Sequence, residues 1–319
     1  GKIHTPVRRF GVHDLLVRMA YRKAFNSLSP RFRFRVAHIH VRTPITENIP
    51  HLAAKEHLPV VVTEHSSFYH RGIALKSKSE QEKETDRITR WFAHPSIRKV
   101  LPVSWDLGDI LNTRFGIPWD KLQVIPNVAA AEFLSGPIPV KPPFRIVLAA
   151  RWSDPKDPSL FIEALHLLPK ELRSSLSIHW VGDGDQMEKV RSACASFIAE
   201  GIMTFPGRLP KSELAPLLAQ AHLLVHPTKA ENLPCIIIES LCCGTPVLSN
   251  AVNGIPELVD DTNGRLAPPN DPITFANTLR WIMENYPHFD RVAIAKAAVE
   301  RYSAEAVAKQ ITAVYDQFS

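Results

Sequence analysis

Short runs of β-branched and aliphatic residues alternate with longer amphipathic stretches along almost the whole chain, which predicts parallel sheets joined by helical crossovers. In the first half, strands are expected at Arg35 to His40, Pro59 to Thr63, Val100 to Ser104 and Leu122 to Ile125. Helical patterns lie near residues 12 to 27, 80 to 93 and 105 to 115. In the second half, strands are expected at Arg145 to Ala150, Leu176 to Val181, Ile202 to Phe205, Leu223 to His226 and Val247 to Ser249. The pairs Asp157-Pro158 and Asp271-Pro272 mark helix starts, with Asp as the cap and Pro in the first turn. Between the halves, the stretch Ser135 to Pro143 can sustain neither a helix nor a central strand, because its prolines lack N–H donors and fix φ. It reads as a linker. Each half is then a doubly wound α/β unit, and such units bind ligands beyond the carboxyl ends of their strands.

Length adds the number of domains: 319 residues suit two units, each large enough for its own core. With 45% hydrophobic and 22% charged residues, and no apolar run near ~18 residues, the chain reads as globular without a spanning helix. Cys194, Cys235, Cys242 and Cys243 form no CxxC pair and no zinc-like spacing, so buried thiols in a reducing compartment are expected. The net charge of +6 is uneven. Residues 1 to 50 hold ten Lys or Arg against Asp14 and Glu47, a net +8 that leaves −2 for the remainder. That basic end either faces an anionic membrane or acidic substrate, or is a solvated helix face.

Candidate chemistry concentrates at strand ends. In the stretch His226 to Asn250 a strand ends at His226, and Pro234 is expected as the first helical residue, so that the helix begins at Asn232 to Pro234. Its amides would offer an anion site, with Glu231 just outside. Glu239 follows on a helix whose other positions are mostly apolar, so its carboxylate needs donors: a Lys, Arg or amide in the core, or the hydroxyls of a nucleotide. After the strand ending at Ala150, Arg151 and Lys156 flank a turn into the helix capped by Asp157, the arrangement a diphosphate requires; two exposed loop cations are the other reading. The turn Gly182-Asp183-Gly184 lacks the full dinucleotide fingerprint and fits better as the lining of a nucleotide pocket. His65 ends a strand in Val61 to His65, as a structural or a catalytic imidazole.

Taken in order, these segments resemble the family 4 retaining glycosyltransferases over nearly all of residues 36 to 270. The motifs that carry the likeness are VVTEH with His65, PVSWDLGDILNTRFGI, VIPN at Val124 to Asn127, Arg151 with Lys156, VGDGD, FPGRL, Glu231 through Glu239, CGTPVLSN and NGRLAP. The resemblance implies a GT-B fold: an acceptor-side Rossmann-like domain over 1–138, a nucleotide-sugar domain over 139–302, and a C-terminal helix over 303–319 packing back on the first. It implies that Arg151 and Lys156 grip the donor diphosphate, that Glu231 and the amides of Asn232, Leu233 and Cys235 meet donor sugar and phosphate, and that Glu239 holds the ribose. Gly184, Gly207 and Arg208 would border the nucleotide, and His65 would approach the sugar. No divalent metal and no cofactor are implied. Asn232 stands where the family usually has Gly, and the first strand and Gly-rich loop of the family have no counterpart, so the N-terminal domain reads as incomplete.

The expected activity is transfer of a hexose from a nucleotide diphosphate sugar to the hydroxyl of a glycan or lipid-linked acceptor, with retention. The expected location is cytoplasmic, with peripheral membrane contact through the basic end. A sugar-nucleotide epimerase of the same fold, or a donor-binding inactive subunit or fragment, are the alternatives. Nucleic-acid binding ranks lower, because the basic stretch carries no recognised motif.

Overall fold

The structure, a computed structural model, describes residues 33–43, 46–138 and 140–318, together with residues 16, 19, 20, 22–24 and 26–28. The helix expected near 12 to 27 therefore falls largely outside the described residues, as does the basic end of the chain. The chain divides into two compact units. One takes the residues up to Pro102, Gly108–Val124 and Thr312 onward; the other takes Val103–Leu107 and Ile125–Ile311.

The first unit holds a parallel three-stranded sheet, β1 (Ala37–His40), β2 (Val60–Glu64) and β3 (Ile97–Pro102), in the order β1-β2-β3. Val60, Val61 and Val62 are wholly buried, as a parallel strand covered on both faces requires. The helix Lys78–Phe92 buries Ile88 and Phe92, four positions apart, and at its start the Ser77 amide donates to the Glu80 carboxylate at 3.1 Å. Two expectations change here. Strand β3 starts earlier than expected and stops before Ser104. The run Leu122 to Ile125 makes a single bridge, Val100 to Leu122, and no strand: the turn Trp119–Lys121 brings the chain alongside β3 only at Leu122, and Pro126 ends the run.

The second unit is a six-stranded parallel sheet in the order β6-β5-β4-β7-β8-β9, formed by β4 (Phe144–Ala149), β5 (Leu176–Val181), β6 (Met203–Gly207), β7 (Leu223–His226), β8 (Val247–Asn250) and β9 (Gly264–Ala267). Strand β9 carries none of the continuous apolar character of its neighbours: Arg265 and Leu266 are half-buried at the sheet edge, so the pattern does not announce it. The order reverses between β4 and β7, where the chain runs to one side through β5 and to the other through β8. The loops after β4 and β7 therefore diverge and open a crevice at the carboxyl edge.

Two helix starts test the capping expectation. Asp271 accepts the Thr274 amide at 2.9 Å and caps as expected. Asp157 does not: its carboxylate instead accepts the Ser159 hydroxyl at 3.1 Å and faces Lys229 at 3.6 Å, so the neighbouring lysine and hydroxyl outcompete the amides. Among the described residues, no helix is long and apolar enough to cross a membrane.

Candidate functional site

The crevice is built by two loops zipped together. The Asp157 amide donates to the Pro227 carbonyl at 3.1 Å and the Lys229 amide to the Pro155 carbonyl at 3.0 Å, and Lys156 bridges Thr228 in antiparallel sense. This short pairing across the sheet's reversal point carries Lys156, from the β4 loop, against Glu231 on the β7 loop, where the two form an ion pair. Beneath them lies His226, the last residue of β7, with Nε2 3.2 Å from both Lys156 Nζ and Glu231 Oε1. Burial and then Lys156 hold the His226 imidazole well below its ordinary pKa, so it is neutral. Nε2 accepts from Lys156 in one ring tautomer and donates to the Glu231 carboxylate in the other. Burial also pushes the Lys156 ammonium down to about 8.

The segment from Thr228 to Leu233 is held by polar side chains from elsewhere in the same unit. Asn250 accepts the Thr228 amide at 2.9 Å and Asn253 accepts the Glu231 amide at 3.2 Å. Ser104 donates to Asn232 Oδ1 at 3.0 Å, and Asn127 donates to the Leu233 carbonyl at 2.6 Å. Asn232 is buried, and its Nδ2 has no hydrogen-bond partner among the described residues. Glu257 accepts the Trp105 and Asp106 amides at 2.8 and 2.9 Å, steadying the strand-to-helix segment that bears Ser104.

The helix expected at Asn232 to Pro234 begins only at Cys235, because Pro234 takes an extended ψ of 120°. The amides of Asn232 and Leu233 thus precede the helix. Cys235 is exposed, a correction to the expected buried thiols, whereas Cys194, Cys242 and Cys243 are buried and all four are unbridged. Glu239 lies one turn on from Cys235 on that same outward face. It has no hydrogen-bond or ion-pair partner among the described residues, and burial raises its pKa to about 7, with Lys211 opposing and Glu132 reinforcing the shift. Among the described residues no cation or amide, one of the two sequence readings, pairs directly with the Glu239 carboxylate, and Lys211 acts on it only through space.

A cavity of about 770 Å³ opens at the same carboxyl edge of the sheet, lined by Arg151, Gly184, Asp185, Arg208 and Ile236 among others. It runs along the carboxyl ends of β4, β5 and β6. Arg151 and Arg208 are exposed within it. Gly184 has φ of +141°, and a Cβ there would lie 2.3 Å from the Trp152 carbonyl oxygen, so only glycine lets the β5 turn pass the β4 loop. Gly207, with φ of +77°, ends β6 and accepts the Gly182 amide at 2.8 Å.

His65 belongs to the first unit, exposed directly after β2. Partial desolvation and then His40 lower its pKa. Before it, the wholly buried Glu64 accepts the Arg42 amide at 2.7 Å and the Tyr69 hydroxyl at 2.9 Å, and burial raises its pKa to about 7.

Arg151, Lys156, Gly184, Arg208, Asn232, Leu233, Cys235 and Glu239 thus lie along one carboxyl edge of the second unit. Sequence reasoning missed His226, Asn250, Asn253, Ser104, Asn127 and Glu257. A histidine closing a buried strand at the reversal point was the one available signal. The others act through contacts between segments far apart in sequence, which no spacing reveals.

Two family models together match most of the chain. The sequence model of the family described as Glycosyl transferases group 1 matches residues 135–301, and that of Glycosyltransferase Family 4 matches residues 1–132. The D-inositol 3-phosphate glycosyltransferase of Xylanimonas cellulosilytica is 25% identical over 225 residues, covering 64% of this chain and 53% of that protein. The amylovoran biosynthesis glycosyltransferase AmsK of Erwinia amylovora is 27% identical over 199 residues, covering 60% and 45%. The chain spans about half the length of the curated relatives it matches. Among solved structures, Anabaena HepE in complex with UDP and glucose aligns with a TM-score of 0.72 at 18% identity, covering 97% of this chain and 84% of that one. The apo lipopolysaccharide outer core galactosyltransferase WaaB aligns at 0.71 and 15%, covering 96% and 82%. These likenesses show the GT-B fold.

Proposed function

The chain belongs to the Glycosyl transferases group 1 family, and from that premise we propose that it moves a hexose from a nucleotide diphosphate sugar to an acceptor hydroxyl with retention of anomeric configuration. The observation that carries the proposal is the meeting of Lys156, Glu231 and neutral His226 at the reversal point of a parallel sheet, beside a cavity lined by Arg151 and Arg208. An ammonium has three N–H donors. With one directed at Glu231, the ammonium keeps donors for a phosphate oxygen, and Arg151 supplies a second cation from the same strand end. Together they offset the charge that develops on a departing diphosphate. Glu239 offers an unpaired acceptor to ribose hydroxyls, and Glu231 an acceptor to the sugar. The proposed path is front-face: the leaving phosphate takes the acceptor's proton as the acceptor oxygen bonds the sugar, and Glu231 stabilises charge on the sugar.

HepE is described with UDP and glucose, and AmsK with amylovoran biosynthesis. UDP-glucose is therefore the first donor to test, and a glycan or lipid-linked hydroxyl the first acceptor class. Incubation of the whole chain with UDP-glucose and an acceptor panel, followed by NMR of the anomeric proton, is expected to show an α-linked product from the α-linked donor, undiminished by EDTA. A β-linked product would overturn retention. An epimerised nucleotide sugar formed from donor alone would favour the epimerase instead.

A further inference from the structure

Glu231 is a loop residue, and loops place side chains poorly unless their backbone is tied. Here the tie comes from two asparagines at and beyond the end of β8. Asn250, wholly buried as the last residue of the strand, accepts the Thr228 amide and donates to the Pro268 carbonyl at 3.1 Å. Three residues later, Asn253 turns the chain with φ of +47°, in the left-handed region that non-glycine residues seldom enter, and its Oδ1 accepts the Glu231 amide. The next residue, Gly254, brings this turn so close that a Cβ there would lie 2.1 Å from the Asn232 carbonyl oxygen and 3.0 Å from Ser104 Cβ. Backbone proximity and a side-chain hydrogen bond therefore act on adjacent residues of the Glu231 loop.

We propose that Asn253 is a positioning residue of the site: by holding the Glu231 backbone it aims the Glu231 carboxylate, and so governs recognition of the sugar half of a nucleotide sugar while leaving the nucleotide half to Arg151, Lys156 and Glu239. An asparagine at this turn serves two requirements at once, since it tolerates positive φ and presents an amide oxygen. The inference rests on the reading of Glu231 as a sugar contact.

The turn conformation permits a clean test. Asn253→Gly keeps the positive φ at no steric cost and deletes only the acceptor, and Asn253→Asp restores an acceptor oxygen. Calorimetric titration of the full chain with UDP-glucose and, separately, with UDP is the measurement. Loss of one hydrogen bond is expected to weaken UDP-glucose binding roughly 3- to 10-fold in Asn253→Gly and to leave UDP binding within about twofold, with Asn253→Asp recovering most of the loss. Parallel weakening of both ligands, or no change in either, would overturn the assignment and leave Asn253 a merely structural residue. If the unaltered chain binds neither ligand, the donor-binding reading fails and the inference with it. Normal binding by the parent with an unaltered Asn253→Gly variant removes the inference alone.

Discussion

At the scale of single residues, the informative groups are those whose charge the fold leaves uncompensated. Glu239 is the sharpest case: half-buried, without a direct partner among the described residues, and raised to about 7 by burial. Its pKa lies above the ordinary 4.5, so the folded chain keeps a proton that the unfolded chain releases between those values, and stability falls as pH rises through that window. Gln does not titrate. Glu239→Gln is therefore expected to melt at a progressively higher temperature than the parent as pH rises from about 4.5 to about 7, with the gain levelling off above that. The same variant is expected to bind UDP more weakly. Thermal melts across pH and UDP titrations check both, and a lower melting temperature at pH 8 with unchanged UDP affinity would return Glu239 to a structural role. The sequence marked Glu239 as a carboxylate in want of donors. Whether a cation answered it depended on how far Lys211 lay across the packed helices, which spacing does not encode.

Among elements, the linker and the helix Arg291–Tyr302 are joined by one side chain that the pattern did not single out. Arg291 donates to the carbonyls of Gly244, Ile138 and Ala219 at 2.8, 2.8 and 2.7 Å and to the Thr245 hydroxyl at 2.9 Å. One planar guanidinium thus ties the linker to the ends of two helices. Lysine retains the charge and cannot reproduce the fork, so Arg291→Lys is expected to cost roughly 2–3 kcal/mol. Urea unfolding measures it; a loss under ~0.5 kcal/mol would show that water replaces the bonds without penalty. Arg291 is invisible to sequence reading because all four acceptors but Thr245 are backbone carbonyls, which every residue possesses. By contrast, eight of the nine described strands were legible in the alternation of strand and helix, because each carries a short aliphatic run between turn or helix signals. Strand β9 at the half-buried edge has no such run, and Leu122 to Ile125 lies beside β3 yet bridges it once, an outcome that a short apolar run does not encode.

For the whole molecule, a ligand that binds only the folded state raises its stability by RT ln(1 + [L]/Kd), about 2.7 kcal/mol at a hundred times Kd. UDP is accordingly expected to raise the melting temperature of the full chain in a concentration-dependent way. Lys156→Ala, which deletes a charge-assisted contact of ~1.5–3 kcal/mol, is expected to need about 10- to 100-fold more UDP for the same shift. Identical UDP dependence in the two proteins would remove Lys156 from the diphosphate site. The sequence by itself determined the class of fold and the alternation of strands and helices, because hydrophobic period and turn residues are local properties that each segment carries alone. Only the tertiary structure decided which side chains meet at the strand ends. That Lys156 pairs with Glu231 over His226, and that Asn250, Asn253, Ser104 and Asn127 hold the loop between them, follows from strand order and the pairing of distant loops. Contacts of that kind are set by how the chain closes on itself, a global outcome of packing that no single stretch of residues specifies.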